Sequence, residues 1–76
     1  QMTDLWLYGN NISDISPLQG MTQLYQLLLE HNQISDISCL HGMTQMVWLR
    51  LWNNQIGDSQ IEMLREALPD CRHMEF

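Results

Sequence analysis

Leu24-Tyr25-Gln26-Leu27-Leu28-Leu29-Glu30-His31-Asn32-Gln33-Ile34 decides the fold, because the chain writes its skeleton three times. Met2-x-x-Leu5-x-Leu7-x-x-Asn10-x-Ile12 precedes it and Met46-x-x-Leu49-x-Leu51-x-x-Asn54-x-Ile56 follows, at a constant spacing of 22 residues. Within each copy the Leu-x-Leu pair alternates with a period of two, which predicts a short strand with one buried face. Every strand runs into an asparagine, Asn10, Asn32 or Asn54. An amide repeated at that point predicts a ladder whose oxygen and nitrogen satisfy turn backbone in their own coil and the neighbouring one. A unit this short cannot bury its apolar side alone, so the copies must stack into a solenoid.

Between the strands the sequence repeats just as closely. Ile12-Ser13-Asp14-Ile15-Ser16-Pro17-Leu18-x-Gly20-Met21-Thr22 returns as Ile34-Ser35-Asp36-Ile37-Ser38-Cys39-Leu40-x-Gly42-Met43-Thr44. Apolar residues here recur every three positions, which suits 3₁₀ or irregular turns better than a long α-helix. Asp14 and Asp36 are placed to cap those turns through backbone N–H groups. Gly20 and Gly42 are expected to let the chain reverse toward the next strand.

These motifs resemble the leucine-rich-repeat family, and Asn-x-Ile-Ser-Asp-Ile-Ser-Pro-Leu followed by Gly-Met-Thr is similar to its bacterial, internalin-type 22-residue repeat. The resemblance covers Met2 to about Ile56. Met21 and Met43, where that family has Leu, and Cys39, where it has Pro, are departures. The resemblance implies a curved parallel sheet on the concave side and 3₁₀ turns on the convex side. It also implies a parent that is extracellular, at the cell surface or host-directed.

The third copy changes character. Gly57 to Pro69 reads as a true helix, with Asp58 or Ser59 as N-cap, Ser59-x-x-Glu62 as a capping box and Pro69 as the stop. Ile61, Leu64 and Leu68 share one face of it. Cys71 to Phe76 then alternates, with Met74 and Phe76 inward as a final short strand. The expected organisation is a single α/β domain, repeats over 1–57 and a helix-strand cap over 58–76, the arrangement that ends many bacterial repeat arrays. A solenoid needs such a cap where stacking stops. No matching cap opens the chain, since Gln1-Met2 aligns with Gln23-Leu24 and Gln45-Met46. That leaves open an excised piece of a longer array, with self-association through the uncapped N-terminal coil as one way to cover it.

Composition narrows the function. The chain has 76 residues, net charge −6, nine acids, and only Arg50, Arg65 and Arg72 as permanent cations. A nucleic-acid binder needs a basic stripe, and an anionic membrane surface would repel this chain. The apolar runs are too short for a membrane-spanning segment. Cys39 and Cys71 make no disulfide framework or zinc spacing; free thiols are expected, with a bridge between them as the alternative.

Subtracting the repeated core leaves the outward strand positions: Asp4, Trp6 and Tyr8; Gln26, Leu28 and Glu30; Trp48, Arg50 and Trp52. All three tryptophans fall in this set. Large aromatics and Arg dominate binding hot spots, so Asp4, Trp6, Tyr8, Leu28, Glu30, Trp48, Arg50 and Trp52 are the expected partner-binding residues. The partner is a protein or peptide, with basic groups favoured by Glu30 and Asp4. The competing reading is that the aromatics only pack across strands. No catalytic, cofactor or metal site is expected. Glu30 and His31, as strand neighbours, should face opposite sides. Asp14, Asp36 and Asp58 align in a ladder that turn-capping explains better than calcium. The expectation is a non-catalytic recognition module, with an engineered or self-assembling repeat unit and a spacer or cap of a longer array as alternatives.

Overall fold

The computed structural model describes residues 3–76, so Met2, the first position of the repeated pattern, lies outside the described residues. Four three-residue strands, β1 (Asp4–Trp6), β2 (Gln26–Leu28), β3 (Trp48–Arg50) and β4 (His73–Glu75), form one parallel sheet in chain order. The register is that of the sequence repeat: Leu5 faces Leu27, Leu27 faces Leu49, and Leu49 faces Met74. The hydrogen-bonded ladder continues past each strand. Leu7 N donates to Leu28 O at 2.8 Å, Gly9 N to Glu30 O at 3.1 Å, and His31 N to Trp52 O at 3.1 Å.

On the convex side, 3₁₀ turns span Ser16–Leu18 and Ser38–Leu40. The threefold apolar spacing does its work there: Ile15, Leu18, Ile37 and Leu40 are all buried. Asp14 Oδ1 accepts from Ser16 N at 2.9 Å, and Asp36 Oδ1 from Ser38 N at 3.0 Å, as expected of residues that open these turns. Pro17 sits in the first turn, where its fixed φ fits and no N–H is missed. Cys39 replaces it one coil later and points its thiol at Ile15 O, 3.2 Å away.

The asparagine ladder ties the coils together. Asn32 Oδ1 accepts from Asn10 N and Ile12 N, both at 2.9 Å, while its Nδ2 donates to Leu7 O and Leu29 O at 3.0 Å. Asn54 repeats this one coil on, accepting from Ile34 N and donating to Leu29 O and Leu51 O. One buried amide therefore satisfies backbone groups of two coils, which would otherwise cost about 1–3 kcal/mol each.

Each coil leaves its strand through a left-handed residue at the same position: Gly9 (φ 72°), His31 (φ 60°) and Asn53 (φ 57°). Glycine adopts that backbone freely, whereas histidine costs roughly 1–2 kcal/mol there. A 3.0 Å hydrogen bond between the His31 ring and the Asn53 amide helps hold both side chains. Of the two glycines expected to reverse the chain, only Gly20 (φ 93°) takes a conformation that other residues rarely adopt; Gly42 does not.

The helix α1 spans Asp58–Ala67. The expected capping box does not form. The N-cap is Gly57, one residue before Asp58 and two before Ser59, with no side-chain hydrogen bond, which puts Ser59 inside the first turn and out of reach of a cap. Asp58 supplies favourable negative charge there instead. Leu64 and Leu68 are buried and Ile61 half-buried. Pro69 ends the helix by excluding Leu68 from helical geometry (φ −122°, ψ 63°). From α1, Gln60 Oε1 accepts from Ile37 N at 3.0 Å, so the helix docks on the second convex turn by a specific hydrogen bond. The core runs continuously from Ile15 to Leu68, and Met74 of β4 and Phe76 just after it pack against its end.

Candidate functional site

The outward positions line up as rows across the concave face. Strand register places Asp4, Gln26, Trp48 and His73 in one row, and Trp6, Leu28, Arg50 and Glu75 in the next. The ladder beyond the strands carries a third row of Tyr8, Glu30 and Trp52. All eight expected residues thus share one face, but they are not equally available. Trp6 is 60% exposed and Tyr8 52%, whereas Leu28 is 6% and Glu30 5% exposed. Asp4 is exposed, and Trp48, Arg50 and Trp52 are half-buried. Leu28 and Glu30 form the floor: each lies between two larger side chains of its row, Trp6 and Arg50 or Tyr8 and Trp52.

Toward β4 the face is knitted together. Arg50 Nη1 lies 3.6 Å from Glu30 Oε2, and Arg50 Nε lies 3.4 Å from Glu75 Oε1 without hydrogen-bond alignment. Trp52 Nε1 donates to the same Glu75 oxygen at 3.2 Å, and the Trp52 ring meets His31 edge-on at 4.7 Å. Trp48 stacks on His73 with centroids 4.4 Å apart, and the Arg50 guanidinium lies 5.8 Å from the Trp48 ring centroid. One guanidinium therefore serves two carboxylates. Glu30 Oε1 and Trp48 Nε1 are buried without a hydrogen-bond partner.

Three residues of this face, His31, His73 and Glu75, were outside the expected set. The signal for the last two was present, since alternation in β4 with Met74 inward puts His73 and Glu75 outward. His31 was expected to face away from the sheet surface of Glu30; its left-handed backbone instead brings the ring against Trp52. Gly9 and Asn53 at the equivalent positions, both tolerant of that backbone, were the available clue.

Elsewhere the chemistry is sparse. Among the described residues no three His, Cys, Asp or Glu side chains converge to hold a metal ion. Cys39 and Cys71 are free thiols. Burial raises both thiol pKa values, with the Asp36 charge adding to the rise at Cys39, which disfavours the nucleophilic thiolate. The backbone hydrogen bonds from Ser16 and Ser38 hold the Asp14 and Asp36 carboxyls below the ordinary range. Surface depressions of about 280 Å³ beside Asp14 and Asp36 and about 260 Å³ beside Arg65 and Arg72 lie away from the concave face. Among the described residues no helix is long and apolar enough to cross a membrane.

Residues 1–40 match the family model described as leucine-rich repeats in two copies. Among solved structures, an internalin (InlF) from Listeria monocytogenes matches with a TM-score of 0.78 and 36% sequence identity over 84% of this chain. The chain spans 18% of the length of that internalin. No curated protein sequence matches.

Proposed function

Because this chain belongs to the leucine-rich-repeat family, with repeats of the internalin type, we propose that it recognises a protein or peptide partner through its concave sheet, without catalysis. Modules of this family are generally protein-interaction repeats. The observation that carries the reading is the exposure of Trp6 and Tyr8 on a sheet whose inward positions in β1 to β3 and just beyond them are all leucine. Such rings bury large area at low entropic cost when a partner arrives. Trp48, Arg50 and Trp52 extend the contact, Asp4 adds charge at its rim, and Leu28 and Glu30 form its floor. At about 4.8 Å between strands and 3.3 Å per residue, four short strands offer roughly 300–400 Å². That is below the roughly 800 Å² per partner of a standard interface, so a peptide-sized epitope or modest affinity is expected.

A random peptide display library selected on this chain tests the proposal. Enriched peptides are expected to bind a Trp6→Ala/Tyr8→Ala double variant at least about 30-fold more weakly, from two hot-spot residues. Peptides that bind chain and variant equally would place recognition elsewhere. A second reading, a second copy of the chain packed on the first coil and not on the concave face, is favoured by the half-buried core positions Leu5, Leu7 and Ile12. Light scattering over a dilution series separates the two: a concentration-dependent dimer supports self-association, and a monomer leaves the face to a foreign partner.

A further inference from the structure

Glu30 carries more information than the rest of the concave floor. Its side chain is 7% exposed, yet Oε1 has no donor within reach. Its ion-pair partner is Arg50, which also serves Glu75, so the three groups together keep one unbalanced negative charge. Asp4 adds an exposed carboxylate on the same face, in a chain of net charge −6. Buried charged oxygens are normally paired and hydrogen-bonded. The next side chain in its row is the exposed Tyr8, and Trp6 begins the neighbouring row. Aromatic faces attract cations within about 6 Å of the ring.

We propose that this corner of the concave face is a seat for one basic side chain, arginine or lysine, of the bound protein or peptide. The Glu30 carboxylate is its counter-charge, and Tyr8 and Trp6 form its aromatic wall. The inference rests on the concave face being the binding surface and names the group that face selects. Glu30 Oε1 is buried in the free chain, so a covering side chain must turn aside as the cation seats; the cation then donates to Oε1, the acceptor left free by Arg50, while its apolar stem lies along the rings.

The test titrates the full chain, ¹⁵N-labelled, with an acetyl-Gly-Arg-Gly amide tripeptide, its lysine counterpart and its citrulline counterpart, which keeps the shape of arginine without the charge. The basic peptides are expected to shift the indole N–H signals of Trp6 and Trp52 saturably. The citrulline peptide should bind at least about tenfold more weakly, as expected for loss of one charge-assisted hydrogen bond. Glu30→Gln should remove the preference, and Glu30→Asp should retain it. Thermal melts establish that each variant is folded, and the wild-type comparison of arginine with citrulline needs no variant at all. Equal binding of the arginine and citrulline peptides, or no saturable shift with either basic peptide, overturns the proposal. Display-selected peptides that need Trp6 and Tyr8 but lack basic residues and ignore Glu30→Gln would sink the cation seat while sparing the concave surface. Peptides indifferent to Trp6 and Tyr8 would fell the surface reading itself.

Discussion

The first coil and the second are written in nearly the same residues and behave differently. Leu27, Leu29 and Ile34 are fully buried, whereas their counterparts Leu5, Leu7 and Ile12 are only partly covered. Asn32 bonds backbone in two coils, whereas the Asn10 amide donates only to Leu7 O and Tyr8 O in its own. Outward, Leu28 and Glu30 are sealed while Trp6 and Tyr8 stand open. The difference is the number of neighbours: β2 is paired on both sides, and β1 on one among the described residues. In a stacked fold, position in the stack decides how far a residue is covered, and strands on both sides are what seal Leu28 and Glu30.

The ladder asparagines should divide the coils most sharply. Asn32→Ala strands backbone groups on both sides and is expected to cost about 3–5 kcal/mol, near the whole stability of a chain this small. Asn10→Ala should cost about 1 kcal/mol. Urea unfolding followed by circular dichroism measures both; equal losses would mean the amides cap single coils and do not join them. Next come the leucines. Leu27→Ala opens a cavity in a packed site and should cost about 3 kcal/mol, while Leu5→Ala should cost about half that, because its surroundings are already partly open.

The aromatics sharpen the contrast within one face. Trp52→Ala removes the hydrogen bond to Glu75 and the edge contact with His31, for about 1–2 kcal/mol. Trp6→Ala should change stability by less than about 0.5 kcal/mol while weakening partner binding more than Trp52→Ala does. A Trp6→Ala variant that melts as early as Trp52→Ala would return this ring to a structural role.

Periodicity made the architecture readable. The Leu-x-Leu alternation, the 22-residue spacing and the asparagines specify parallel strands, their register and the amide ladder, because each is a local pattern repeated by stacking. Threefold spacing located the 3₁₀ turns for the same reason. Burial of the site was not readable that way. Alternation says that Leu28 and Glu30 point outward, and they do. It cannot say that bulky neighbours two coils apart will cover them. The N-cap is Gly57, where Asp58 or Ser59 was expected, because a capping motif competes with packing of Leu64 and Leu68 on the last coil, and packing decides where the helix sits. His31 escaped because a single left-handed residue overturns the face assignment of its side chain.

The smallest expected effect lies on the convex side, common to both coils. Asp14 and Asp36 have depressed pKa values because their charged forms accept backbone hydrogen bonds from Ser16 and Ser38. Their contribution is full above about pH 4 and is lost as the pH falls through the lowered folded-state values. Asp14→Asn/Asp36→Asn keeps the acceptors without the charge, and should flatten the acid limb of stability against pH. An unchanged limb would assign acid sensitivity to other carboxylates.

The most direct test of the concave face follows ¹⁵N-labelled chain during titration with the tightest display-selected peptide. The largest shifts are expected at Trp6, Tyr8, Leu28, Glu30 and the indoles of Trp48 and Trp52, with the convex turns at Ser16–Leu18 and Ser38–Leu40 and the helix Asp58–Ala67 left in place. Shifts confined to those turns or to the helix would contradict recognition through the sheet.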